Sequence, residues 1–224
     1  MSELFCPSPQ DSTALPWLAA VQSQRLIAVI RAPSLNLGMQ MAQAVAAAGM
    51  RLIEITWNSD RPAHMVAKLR VALPHCWIGA GTLLTLAELQ EAIAAGAQFL
   101  FTPHLNVELV QAAVSQRIPI IPGALTPSEI VAAWQTGATC VKVFPVQAVG
   151  GASYIRHLQS PLGQIPLIPT GGVTVENAQE FLQAGAIAVG LGSQLFPKEA
   201  IAMGKWTEIT DQATALLHRL AAER

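Results

Sequence analysis

The most constraining feature of this sequence is a junction that recurs four times. Ala-Gly-Met-Arg at 48–51, Ala-Gly-Ala-Gln at 95–98, Thr-Gly-Ala-Thr at 136–139 and Ala-Gly-Ala-Ile at 184–187 each join an apolar, helix-like run to a β-rich run. A glycine there suits the left-handed conformation that ends a helix. Successive junctions lie 47, 41 and 48 residues apart, each room for two strand-plus-helix units. Strands separated by helices must be parallel, joined by right-handed crossovers.

The hydrophobic pattern fills in this frame. Strands are expected at 25–31, 51–56, 77–82, 98–102, 118–121, 139–144, 166–169 and 187–190. Helices are expected at 13–24, 37–48, about 60–72, 86–95, 107–116, 127–136, 153–159, 175–184 and 207–223. Eight parallel strands, each followed by a helix or a helix start, predict one α/β domain, a (β/α)₈ TIM barrel over residues 13–224. Residues 1–12 read as an arm. An open doubly wound sheet is the rival, but no Gly-x-Gly-x-x-Gly follows the first strand.

Composition enters as exclusion. Hydrophobic residues make up 52% of the chain and charged residues 12%, enough for a large core and too apolar for disorder. No apolar run reaches the roughly 18 residues that would span a bilayer. Residues 1–16 lack the basic and apolar regions of a signal peptide. Three cysteines, Cys6, Cys76 and Cys140, are an odd count and point to free thiols in the cytoplasm. A net charge of −1 without a basic run gives nucleic acid no electrostatic footprint.

Within this frame some residues are out of place. Lys142 sits in Val141-Lys142-Val143-Phe144, a run with the character of a buried strand. Either it reaches solvent or a carboxylate, or burial lowers its pKa and makes the amine a nucleophile for carbonyl carbon. Glu54 lies inside Leu52-Ile53-Glu54-Ile55-Thr56; it is either an ion-pair partner or a general acid/base. In a barrel, active groups gather at the C-terminal strand ends. Arg31 ends the first strand and suits an anion. Thr82 follows Gly79-Ala80-Gly81 at the third, where its hydroxyl can bond a carboxylate. Pro169-Thr170-Gly171-Gly172 and Gly190-Leu191-Gly192-Ser193, after the last two strands, read as an anion cradle, the second leading into a short helix. The five histidines have no metal-ligand spacing, so no metal site is expected.

Taken together, seven segments resemble the family of 2-keto-3-deoxy-6-phosphogluconate and 4-hydroxy-2-oxoglutarate aldolases: 52–56, 79–82, 102–105, 121–129, 141–145, 169–173 and 190–193. The resemblance implies a class I aldolase without metal or bound cofactor, commonly a homotrimer, acting on a phosphorylated 2-keto-3-deoxy sugar acid and releasing pyruvate. It implies Lys142 as the Schiff-base lysine and Glu54 as the general acid/base. Thr82 would bind the pyruvyl carboxylate, Pro103 and Phe144 would wall the pocket, and Thr170, Gly171, Gly172, Gly192 and Ser193 would hold phosphate. In one respect the chain departs from this pattern. Many members carry arginine four residues after the glutamate, where it helps hold the substrate carboxylate. Here that residue is Asn58, as in the related phosphogalactonate aldolases, so the galactonate epimer is an alternative substrate. Arg31 and Arg61 are the candidates to supply the missing cation.

Overall fold

The computed structural model describes residues 14–221; the arm expected over 1–12 lies outside the described residues. The chain runs α1 (Ala14–Gln24), β1 (Leu26–Ile30), α2 (Leu35–Ala47), β2 (Leu52–Thr56), α3 (Pro62–Ala72), β3 (Trp77–Gly81), α4 (Leu86–Ala94), β4 (Leu100–Phe101) and α5 (Val107–Ser115). It continues β5 (Ile120–Ile121), β6 (Gly123–Ala124), α6 (Pro127–Gln135), β7 (Val141–Val143), a 3₁₀ turn (Val146–Val149), α7 (Ala152–Leu162) and β8 (Leu167–Pro169). The last elements are α8 (Ala178–Gln183), β9 (Val189–Leu191), α9 (Lys198–Ala202) and α10 (Trp206–Ala221).

The four junction glycines adopt the conformation their position requires: Gly49, Gly96, Gly137 and Gly185 have φ between 92° and 104°. Helix starts are equally local. Thr85 and Thr126 form capping boxes with Glu88 and Glu129, and Ser34 and Asn106 cap α2 and α5.

The strands form two parallel sheets, ordered β5-β4-β3-β2-β1-β9 and β6-β7-β8. Among the described residues nine strands stand where eight were expected. The fifth is split because Pro122 interrupts the ladder between β5 and β6 and has no N–H to donate. Hydrogen bonds cross both gaps between the sheets. Thr139 N–H donates to Ile120 O at 3.0 Å, and Ile187 N–H to Leu167 O at 3.1 Å.

Side chains alternate across the curled sheet. One set, including Ile27, Leu52, Phe101, Ile121, Cys140, Ile168 and Ala188, packs with Trp17 and Val21 of α1 into a fully apolar cluster. The opposite faces pack against the helices in the larger core. Two residues further along the same inward faces, the strands carry Val29, Glu54, Lys142, Thr170 and Gly190, all of which line one cavity. Another step of two gives Arg31, Thr56, Phe144, Gly172 and Gly192, which line it as well. The apolar cluster is thus the floor of the site.

Candidate active site

The cavity encloses about 530 Å³ at the C-terminal strand ends. A depression of about 560 Å³ beside α2 and α3 is more open and almost wholly apolar, and its ionisable residues, His64 and Lys68, are exposed. The strand-end cavity is the one that holds the buried ionisable side chains Glu54 and Lys142.

Glu54 is 1% exposed and Lys142 8%. Each comes from the middle of a strand, and backbone register fixes each one. Glu54 pairs with Val29 on one side and Gly79 on the other, and Lys142 pairs with Gly123 and Ile168. Glycines on neighbouring strands leave room for the Glu54 side chain and for the close approach of the Pro103 backbone to β6. A Cβ at Gly81 would occupy the space of the Glu54 carboxylate, and one at Gly123 would strike the Pro103 backbone.

Burial sets the ionisation of both groups. Loss of water pushes the Glu54 carboxyl above the usual range, while Lys142 and Arg31 pull it back. Burial pushes the Lys142 amine below its usual range; Glu54 opposes this and Arg31 adds to it. The Lys142 ammonium lies 4.7 Å from the Phe144 ring centroid and 5.9 Å from that of Phe101. The opposite shifts favour a neutral amine and a neutral carboxyl over the ion pair.

Thr82 has φ +60°, a conformation rare for a β-branched residue, and lines the cavity. Gly171 and Gly172 both have positive φ, which permits the turn after β8. Above them Thr170 is 7% exposed, and its Oγ1 has no hydrogen-bond partner among the described residues. The Thr170 hydroxyl is thus free to bond a group that enters the cavity.

The structure thus brings Lys142, Glu54, Arg31, Thr82, Pro103, Phe144, Thr170, Gly171, Gly172, Gly192 and Ser193 to one cavity. Asn58 is exposed and outside its lining. Of the two candidate cations, Arg31 lines the cavity, while Arg61 pairs with Asp60 at the surface, 3.3 Å away. The segment leads into a short helix as expected, but turns at 192–195 separate Ser193 from α9, which starts at Lys198 with Pro197 at its N-cap. Any anion there would meet turn N–H groups rather than a helix end. Val29, Thr56 and Gly190 also line the cavity. Counting by two from Glu54, Ile27 and Ala188 would have found them. Met41, Val173, Thr174, Gln194, Phe196 and Ile201 line it from outside the strands, and no sequence periodicity marks them. Among the described residues no group of three or more His, Cys, Asp or Glu side chains is set to hold a metal, and no helix is long and apolar enough to cross a membrane.

A parallel α/β fold that desolvates an amine and a carboxyl together at its strand ends is suited to enzyme chemistry on carbonyl carbon. A family model for KDPG and KHG aldolase matches residues 18–212, and the chain belongs to that family. The chain is 32% identical to the KHG/KDPG aldolase of Escherichia coli (strain K12) over 84% of its own length and 88% of the relative's. It is 31% identical to the 2-dehydro-3-deoxy-phosphogluconate aldolase of Treponema pallidum, over 85% and 91% of the two chains. A crystal structure of KDPG aldolase from Legionella pneumophila, with pyruvate captured as a covalent carbinolamine intermediate, superposes with a TM-score of 0.82 at 31% identity. That match covers 89% of this chain and 97% of the other.

Proposed function

We propose that the protein is a class I aldolase cleaving 2-keto-3-deoxy-6-phosphogluconate to pyruvate and glyceraldehyde 3-phosphate. The observation that carries this reading is the buried Lys142–Glu54 pair in one cavity with a glycine-rich turn. The neutral Lys142 amine adds to the C2 ketone, and the carbinolamine takes a proton from the protonated Glu54 carboxyl and loses water to give an iminium, leaving Glu54 as the carboxylate. Glu54, directly or through a water, takes the C4 hydroxyl proton. The C3–C4 bond breaks, its electrons pass into the iminium to give an enamine, and the aldehyde leaves. Glu54 returns the proton to C3, and water hydrolyses the new iminium to pyruvate and the free amine. The iminium is the electron sink, so no step calls for a metal or external cofactor.

Arg31 and Thr82 suit the substrate carboxylate, Pro103 and Phe144 the walls, and the turns at 170–172 and 192–193 the phosphate. 4-Hydroxy-2-oxoglutarate, cleaved to pyruvate and glyoxylate, fits the same steps and is the second substrate. The name of the Escherichia coli relative supports it. The galactonate epimer is less favoured, because Asn58, the residue that suggests it, lies outside the cavity lining and the named relatives act on the gluconate.

For the architecture, we infer a closed (β/α)₈ barrel forming one domain over 13–224. Support comes from the hydrogen bonds that cross both gaps between the sheets. A homotrimer in the cytoplasm is supported by the family resemblance and by the odd number of cysteines.

Borohydride reduction in the presence of pyruvate tests the reading. It should inactivate the protein and place one adduct on Lys142, and Lys142→Ala should abolish labelling. An adduct elsewhere, or none, overturns it.

A further inference from the structure

The steps above leave a set of short polar side chains after β2 without a role. Thr56, the last residue of β2, is 1% exposed and lines the cavity two residues beyond Glu54. Its Oγ1 lies 3.3 Å from Ser59 Oγ. Ser59 Oγ also accepts from Ala32 N–H at 3.1 Å, and Ala32 O accepts from Asp60 N–H at 2.9 Å. Asp60 Oδ2 in turn accepts from Leu35 N–H at the start of α2, at 3.0 Å. Ala32 is 1% exposed and directly follows Arg31. Both of its backbone polar groups are therefore held by the turn after β2. The loop that carries Arg31 is fastened to the strand that carries Glu54.

Arg31 needs such a fastening. Its long side chain has no hydrogen bond or ion pair to another described residue, and it is exposed at the cavity mouth. A guanidinium on a free stem loses rotamer entropy when it binds, and a fixed backbone spares the further cost of ordering the loop that carries it. Among the lining residues the cations are Arg31 and Lys142, and the ketone occupies Lys142. The carboxylate of a 2-oxo acid is then left to Arg31, whose planar fork matches it.

We propose that Ser59 is a positioning residue that holds Arg31 in place for the carboxylate of the bound 2-oxo acid. The bridge runs from Thr56 through Ser59 to the Ala32 backbone, and Ser59 touches no reacting atom. This deepens the aldolase reading and rests on it.

The experiment is borohydride trapping over a range of pyruvate concentrations, for wild type, Ser59→Ala, Ser59→Thr, Arg31→Gln and the Arg31→Gln/Ser59→Ala double variant. Ser59→Ala should raise the half-saturating pyruvate concentration about tenfold, the scale of one charge-assisted hydrogen bond. It should leave the trapping rate at saturation unchanged. Ser59→Thr keeps the hydroxyl and should restore wild-type binding. Arg31→Gln should be at least as damaging as Ser59→Ala, and the double variant no worse than Arg31→Gln alone, because Ser59 acts through Arg31. Should Ser59→Ala melt far below wild type, Ser59→Cys replaces it, with a weaker acceptor of similar size and a smaller expected rise. Wild-type pyruvate binding by Ser59→Ala overturns the proposal. So does a Ser59→Ala effect that persists undiminished beside Arg31→Gln. Wild type that traps no pyruvate would instead overturn the aldolase reading.

Discussion

Gly81→Ala is the sharpest test of whether the Glu54 carboxylate must stand where it does. A Cβ built at Gly81 lies 2.8 Å from Glu54 Cγ and closer still to the carboxylate. Carbon atoms rest at about 3.5–4.0 Å, so Cγ must withdraw by roughly 1 Å and the carboxylate by more. Gly81 is absent from the positive-φ positions, so alanine strains no backbone there, and the collision falls on the Glu54 side chain. A misplacement of about 1 Å can cost about 10²-fold in rate, and kcat should fall by that order. Overpacking should cost about 1–3 kcal/mol, small enough for a domain of this size to remain folded at assay temperature. The assay pairs steady-state cleavage, coupled to pyruvate detection, with borohydride trapping. Turnover should fall about 10²-fold while trapping still reaches completion, since Lys142 is untouched. Gly81→Ala with undiminished turnover would refute the placement of Glu54 as proton carrier. Equal loss of folding and activity would assign Gly81 to packing alone.

Glu54→Gln should lower kcat by about 10²–10⁴-fold with near-native melting; strong destabilisation with normal activity per folded molecule would make Glu54 a structural ion-pair partner. Arg31 pushes the Lys142 amine further below its usual range, so Arg31→Gln should raise it. Less neutral amine is then present at a given pH, and the acid limb of trapping against pH, read at saturating pyruvate, should move to higher pH; a limb that stays put or moves down contradicts this. Ser193→Asp should raise KM for phosphorylated substrate through like-charge repulsion and affect 4-hydroxy-2-oxoglutarate much less; equal damage to both removes the phosphate from that turn. Cys140 is fully buried and its thiol is pushed well above the usual range, so a thiol reagent should label it only on unfolding; rapid labelling of the native protein would contradict its place in the floor of the site.

Helix ends were legible in the sequence because they are local. The four junction glycines and the Thr85 and Thr126 capping boxes act within one turn of chain, so residue type is enough to place them. Lys142 and Glu54 were legible for a related reason: a charge in the middle of an apolar strand is out of place wherever that strand packs. The split of the fifth strand was not legible: a strand is expected at 118–121, and the piece beyond Pro122 depends on which neighbours supply the ladder, which is not a local property.

What only the tertiary structure decided is which distant groups meet. Strand order and register put Glu54 and Lys142 into one cavity, and the alternation of each strand set both above the same apolar floor. The choice between Arg31 and Arg61 turned on which of them lines the cavity: Arg31 does, while Arg61 pairs with Asp60 at the surface. Met41, Phe196 and Ile201 enter the lining from helix and loop positions whose own periodicity reports only a buried face. Sequence by itself determined which side chains were unsuited to an ordinary core and where each element stops, since these depend on local sterics and desolvation. The shared cavity, the cation that faces the amine and the glycine that admits the carboxylate came from long-range packing, because each depends on a partner that no local pattern encodes.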